Sequence, residues 1–301
     1  MTAKPRVWIN GVILPWEEAQ VPLLSHGLSR GSAIFEVFGT HQKGDNTYAF
    51  RMDKHLQRLD QTARLLKMKL KYTAEDIAKA TSEIASKNQI GRAIIKIVAY
   101  WGEEAIIDLV LNSKLDVAIF CIPASDELSL DQSRPISACF SKWRKLHPET
   151  IPVQAKACAN YLNSYLIRRD ANDRGFDLGL TVGTDSFVAE GSIESVFIVK
   201  DGVLKTPSLG KILESITRDS ILNIAKKEGM PVEETNLHKE NVLCADEVFT
   251  CHTGIKILPI KKIEDKNLLA PGPVTEKISQ IMQNVLTFQD ERYSNWFQML
   301  F

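Results

Sequence analysis

Near its middle the chain carries a polar stretch bounded by prolines, Pro123 to Pro135 (Pro-Ala-Ser-Asp-Glu-Leu-Ser-Leu-Asp-Gln-Ser-Arg-Pro). This is the feature that most constrains the fold. So few apolar residues leave no face to bury, and proline at each end interrupts both helix and ladder. The stretch divides 301 residues into two parts, each long enough for a core of its own. The expected organisation is an N-terminal domain over 1–123, a linker over 124–135 and a larger C-terminal domain over 136–301.

Both parts mix the period of strands with that of helices. In the first, Arg6 to Ile9 alternates as a strand and Asn10-Gly11 is a hairpin turn. Ala33 to Thr40 and Tyr48 to Arg51 are strands about the turn Gly44-Asp45-Asn46. From Asp53 a helix sets Leu56, Leu59, Ala63 and Leu66 on one face, and Thr73 is the N-cap of another that runs to about Ser86. Ala93 to Tyr100 and Leu115 to Ile122 are strands, the second nearly all apolar and therefore central. In the second part, strand patterns cover Ile136 to Trp143, Leu178 to Val182, Phe187 to Ala189, Ser195 to Val199, Glu247 to Thr250 and Ile257 to Ile263. Helical patterns cover Asn160 to Arg174, Thr217 to Glu228 and Val274 to Leu286. The expected class is α/β in two domains.

Composition excludes several functions. The formal net charge is zero, so no basic surface argues for nucleic acid; the cluster Lys142-Trp-Arg-Lys145 reads as a solvated rim. No apolar run is long enough to span a bilayer, and the N-terminus lacks a signal-peptide core. Five scattered cysteines without C-x-x-C spacing indicate neither a disulfide framework nor a metal site. Free thiols in a reducing cytoplasm are the expectation.

The chemistry centres on Ile151-Pro-Val-Gln-Ala-Lys-Ala-Cys-Ala-Asn-Tyr161. Lys156 has small neighbours, which leave room beside its amine for something bulky. A desolvated lysine loses its proton and attacks carbonyls, whereas a lone lysine is ordinarily a solvated surface group. Glu190 lies at a strand end beside Gly191-Ser192, as a turn residue or, pointing inward, as a carboxylate in need of a cation. Ser215-Ile216-Thr217 opens a helix: a cap, or a set of free N–H groups suited to phosphate. Thr253-Gly254 makes a second small turn with a hydroxyl. Arg51 ends an apolar run before a helix, and a fixed guanidinium suits a phosphate dianion. Tyr161 is a core residue or a donor to a phenolate oxygen. Taken jointly, this set describes a pocket for pyridoxal phosphate.

Lys156-Ala-Cys-Ala-Asn-Tyr-Leu162, Glu190-Gly-Ser192, Asp201-Gly-Val-Leu204, Ile216-Thr-Arg-Asp219 and Ala245-Asp-Glu-Val-Phe249 with Thr253-Gly254 resemble the class IV, fold type IV, aminotransferases. Asn10-Gly11, Phe35-Glu36 and Phe50-Arg51-x-x-x-His55-x-x-Arg58-Leu59 extend the resemblance into the first part, so that it runs from Trp8 to the last helix. It implies two α/β domains, a homodimer or an assembly of dimers, and no metal. It makes Lys156 the Schiff-base lysine and proton shuttle, Glu190 the partner of the pyridine nitrogen and Tyr161 the donor to the phenolic oxygen. Arg51, Ile216, Thr217 and Thr253 become the phosphate cradle.

Within that family, Ser141-Lys-Trp-Arg, Ile151-Pro152 and Ser294-Asn-Trp-Phe are similar to the branched-chain type. The implied reaction moves an amino group between a branched-chain L-amino acid and 2-oxoglutarate in a ping-pong cycle. A D-amino acid transaminase or a lyase of the aminodeoxychorismate type is the alternative. Departures from the family pattern fall mostly on the substrate side: Arg30-Gly31 for a tyrosine-glycine pair, Val37-Phe38-Gly39 after Phe35-Glu36, Glu214-Ser215 for proline-glycine, and His252 for glycine. Arg30, Phe35, Lys96, Trp143 and Gly254 are the expected substrate residues, with Arg30 or Lys96 meeting a carboxylate.

Overall fold

Asn10 and Gly11 both take positive φ, 50° and 93°. That is the backbone twist a two-residue hairpin requires, and it joins β1 (Arg6–Ile9) to β2 (Val12–Pro15). They belong to a computed structural model that describes residues 5–124, 134–254 and 256–301. The chain separates into two units. One gathers the described residues of Met1–Leu128 with Ala155–Ala159 and Thr287–Phe301; the other gathers those of Ser129–Gln154 with Asn160–Leu286. Two short segments therefore leave the C-terminal part assigned from sequence and join the first unit by pairing with its strands. Of the expected linker, residues 125–133 lie outside the described residues.

The first unit contains a short helix α1 (His26–Arg30), strands β3 (Ala33–Lys43) and β4 (Asn46–Phe50), helices α2 (Met52–Leu65) and α3 (Ala74–Lys87), and strands β5 (Ala93–Tyr100) and β6 (Asp116–Pro123). Its sheet runs in the order Phe297–Met299, β4, β3, β5, β6, β1, β2, and every pairing is antiparallel. As its apolar composition indicated, β6 lies inside the sheet. Leu56, Leu59 and Ala63 of α2 and Ile77, Ala80 and Ile84 of α3 pack with Ile34, Phe38, Ile95, Ile97 and Ile119 in one core. Burying each large aliphatic side chain stabilises the unit by roughly 2 kcal/mol. Thr73 caps α3 in a capping box with Asp76. Elsewhere on the unit, Ile9, Trp16, Leu28, Val98, Tyr100 and Phe120 line an apolar groove of about 310 Å³.

The second unit begins with β7 (Ile136–Phe140), α4 (Tyr161–Asp173), β8 (Leu178–Leu180), β9 (Ser195–Lys200), β10 (Val203–Pro207) and α5 (Ile216–Lys227). It continues with β11 (Val232–Thr235), α6 (Lys239–Leu243), β12 (Glu247–Cys251), β13 (Leu258–Ile263), β14 (Lys266–Asn267) and α7 (Pro273–Leu286). The sheet order is β11, β10, β9, β12, β13, β7, β8, with β14 added to β13. Its pairings are mixed, parallel for β10–β11, β13–β7 and β7–β8. Two sequence assignments change. Phe187 to Ala189 is no strand: it makes one isolated bridge, Val182 with Val188, because Val188 N–H donates to Leu237 O (2.7 Å). The strand expected to reach Trp143 ends at Phe140, where Asp170 takes over the hydrogen bonds of Ser141 Oγ (2.9 Å) and Lys142 N–H (3.0 Å).

Candidate active site

β3 has eleven residues and β4 only five, so β4 pairs with the second half of β3, from Thr40 to Lys43. The first half of β3 is left with polar backbone groups on that edge, and buried N–H groups need acceptors. The segment around Lys156 meets the need. Phe35 N–H donates to Lys156 O (3.1 Å), and Ile34 forms an antiparallel bridge with Ala157. On its other side, Lys156 N–H donates to Thr62 Oγ1 of α2 (3.2 Å). The main chain of Lys156 is thus pinned twice while its side chain leaves the ladder. Ala155 and Ala157 are buried, so small residues are required there. The Lys156 Nζ lies 4.6 Å from the centre of the Phe35 ring, and Lys96 Nζ lies 5.2 Å from the same ring. Burial pushes the nearby Cys158 thiol up, and the Lys96 and Lys156 charges pull it back in part.

Arg51 precedes α2 with φ 54°, an uncommon conformation for a residue with a Cβ. Its N–H donates to Trp296 O (2.7 Å) and its guanidinium carbon lies 4.8 Å from the Trp296 ring. The strand Phe297–Met299 beside β4 brings Trp296 there. Behind Phe35, Glu36 is fully buried. Arg58 Nε donates to its Oε1 (2.8 Å), Arg58 Nη2 to Oε2 (2.7 Å), and His55 Nδ1 to Oε2 (2.7 Å). Burial alone would raise the Glu36 carboxyl, but the Arg58 charge and the hydrogen bonds from Arg58 and His55 hold it at about 2. This cluster ties α2 to β3, and Lys156 and Arg51 attach near opposite ends of α2.

In the second unit, Glu190 is buried. Its carbonyl accepts from Thr181 N–H (2.8 Å) and Thr181 Oγ1 (2.7 Å), and its carboxylate pairs with Lys145 through Oε1. Leu213 N–H donates to Oε2 over 3.4 Å. The adjoining turn is held by Glu194, whose Oε2 accepts from Ile193 N–H (2.8 Å) and Ser192 Oγ (3.0 Å) and whose Oε1 accepts from Arg168 Nη2 (2.6 Å). A Cβ at Gly191 would meet Glu194 Oε2 at 2.6 Å, so a side chain there would have to displace that carboxylate. At α5, Ser215 is the cap, its Oγ accepting from Arg218 N–H (3.2 Å), which leaves the buried Thr217 hydroxyl in the first turn for another use. Arg218 is spent on Pro207 O and Glu234 Oε2, both at 2.8 Å. Tyr161 opens α4.

Gly254 N–H donates to His252 Nδ1 (3.1 Å), so that ring carries its proton on Nε2. Burial lowers the His252 pKa, Glu194 opposes this, and Lys256 and Arg168 add to the lowering. Lys256 Nζ donates to Thr253 O (2.7 Å).

Of the expected substrate residues, Phe35 and Lys96 stand with Lys156. Arg30 is exposed, and its Nη2 donates to Ile106 O (3.0 Å). Trp143 is also exposed, with the Lys142 ammonium 5.8 Å from its ring. Sequence reasoning missed the partners Thr62, Trp296, Glu194 and Lys145. It placed Lys145 on a solvated rim, but that side chain is 11% exposed because it turns in to Glu190. For the Glu36 cluster a signal was there: His55 and Arg58 share a helical face with the core residue Leu59.

Residues 33–263 match the family described as Amino-transferase class IV. A branched-chain-amino-acid aminotransferase of Escherichia coli (strain K12) is 31% identical over 295 residues, 96% of each chain. A branched-chain aminotransferase of Thermoproteus uzoniensis, solved with norvaline, superposes with a TM-score of 0.94 at 34% identity and 99% coverage of both chains. The Thermobaculum terrenum branched-chain amino acid aminotransferase, solved in its PLP form, gives 0.91 at 32% identity over 100% of each. With a pinned lysine, a buried carboxylate and a helix N-terminus on such a frame, the chain belongs to the class IV aminotransferases.

Proposed function

We propose that the protein is a pyridoxal-phosphate-dependent aminotransferase that moves an amino group between a branched-chain L-amino acid and 2-oxoglutarate. Lys156 carries the reading: a lysine held by its main chain, with its amine against an aromatic ring, on a chain alike along its length to enzymes of that name. The residues present fit the cofactor. An amine, a buried carboxylate, a buried guanidinium and the N-terminus of a twelve-residue helix are complementary to an aldehyde, a ring nitrogen and a phosphate.

When bound, pyridoxal phosphate supplies a conjugated ring that takes up the electron pair left as the substrate's Cα–H bond breaks. Lys156 Nζ would hold the cofactor and, as a free amine, would carry the proton from the substrate Cα to the cofactor's C4′. Glu190 accepts a hydrogen bond from the ring nitrogen and keeps its proton in place. Arg51, the α5 N–H groups at Ile216 and Thr217, and Thr253 bind the phosphate, and Tyr161 donates to the phenolic oxygen. Phe35 offers the apolar surface for a branched side chain. Lys96, on the same ring as Lys156, takes the distal carboxylate of 2-oxoglutarate, a role that Arg30 fits less well while bonded to Ile106 O.

The chain works as a homodimer or an assembly of dimers in the cytoplasm. Support comes from the apolar groove beside Trp16 and Phe120, with Leu23, Leu24 and Leu28 exposed, and from five free cysteines. No helix among the described residues is long and apolar enough to cross a membrane. The test is to incubate purified protein with 2-oxoglutarate and a panel of L- and D-amino acids, then measure glutamate and its chirality. L-Glutamate formed fastest from leucine, isoleucine or valine is the expected result; D-glutamate would overturn it.

A further inference from the structure

The backbones of Lys145 and Glu190 are rooted on adjacent residues. Lys145 N–H donates to Val182 O (3.1 Å), and Thr181 donates both N–H and hydroxyl to Glu190 O. This fixes the two side chains against each other, 45 residues apart in the chain. The ammonium takes Glu190 Oε1, and the side chains are 11% and 9% exposed. Among the described residues, Oε2 receives only the long bond from Leu213 N–H. A carboxylate accepts at both oxygens, so Oε2 retains capacity for a second donor. Lys145 lines a small cleft with His147, Asp185 and Lys211, and of these Lys211 and Asp185 pair with each other. Lys145 is therefore the cation committed to Glu190.

We propose that Lys145 is a positioning residue for the cofactor: it turns Glu190 Oε2 toward the ring nitrogen and, by neutralising part of the carboxylate's charge, weakens that nitrogen's hold on its proton. The proposal rests on Glu190 being the partner of the ring nitrogen. An ammonium on one oxygen of a carboxylate repels a second positive charge brought to the other, and between side chains as buried as these the repulsion is screened less than at a surface. A lone carboxylate in the same place would hold both the ring proton and the cofactor more firmly.

The test uses holoenzyme loaded with pyridoxal phosphate labelled with ¹⁵N in the ring. The ring ¹⁵N shift is followed from neutral to alkaline pH, together with the rate of cofactor loss on dilution. Lys145→Met is expected to keep the ring protonated to higher pH, by about one unit, and to slow cofactor loss about tenfold. Lys145→Arg keeps the charge and is expected to follow the wild type; a purely structural role would not separate the two variants this way. Should Lys145→Met fail to fold, Lys145→Gln carries the same measurement. Glu190→Gln separates the two levels of inference. If it leaves the ring shift unmoved, the role of Glu190 falls; if it moves the shift while neutral variants at 145 do not, the Lys145 proposal alone is overturned.

Discussion

Glu36 and Glu190 are both buried glutamates met by cations from elsewhere in the chain, yet their surroundings differ in kind. Glu36 has no exposed side-chain surface, and both its oxygens are filled by strong donors from Arg58 and His55. Glu190 keeps 9% exposure and, among the described residues, has one ammonium on Oε1 and only a long backbone bond on Oε2. A carboxylate whose acceptor sites are all filled by its own chain has nothing left for a ligand, and its energy goes into the fold. One left with an unfilled oxygen can bind. Partner geometry, more than burial, separates a structural acid from a functional one.

The sharpest separation of activity from stability is expected at Lys156. Its hydrogen bonds to Phe35 and Thr62 use main-chain atoms that alanine keeps. Lys156→Ala is therefore expected to lower turnover by more than about three orders of magnitude while leaving unfolding free energy within about 0.5 kcal/mol. Steady-state assays and urea denaturation check the two halves, and residual normal turnover would remove Lys156 from the chemistry.

Glu36→Gln inverts that pattern. An amide presents a donor to Arg58 or His55 and leaves a buried guanidinium without its counter-charge, at a cost of about 3–5 kcal/mol. The urea midpoint should fall sharply, with kcat per folded molecule nearly unchanged. A variant as stable as wild type would break the contrast from the Glu36 side.

Acid unfolding reads the same group through its titration. The Glu36 carboxyl is held at about 2 against an ordinary 4.5, so its stabilising contribution is complete above 4.5 and is lost as pH falls from there through 2. The loss amounts to about 3 kcal/mol. Wild type should lose this stability relative to Glu36→Gln across that window; parallel pH profiles for the two proteins would contradict the assignment.

At Glu190 the effect on the fold is expected to be far smaller than at Glu36. Glu190→Gln keeps a carbonyl oxygen for Lys145 but loses the charge facing the ring nitrogen. Turnover is expected to fall about a hundredfold, with stability reduced by about 1 kcal/mol. If Glu190→Gln destabilised the protein as much as Glu36→Gln, with turnover per folded molecule unchanged, the two glutamates would be alike.

Much of this was legible in the chain itself, because it is set by neighbours a few residues away. Strand and helix periods, the positive-φ turn at Asn10-Gly11 and the Thr73 cap all follow from local geometry. So does the room around Lys156, since alanines flank it. The polar Val232–Thr235 was not read as a strand: it is short, lies at an edge, and owes its conformation to β10. What the tertiary structure decided is pairing at a distance. The segment at Lys156 serves β3 because β4 is too short to cover it, and Trp296 reaches Arg51 because the last strand docks beside β4. Lys145 left an exposed basic cluster for Glu190 because two hydrogen bonds at Thr181 and Val182 set them side by side. A residue's type limits which partners it can accept, but sheet register determines which of them arrives, and register belongs to no single stretch of sequence.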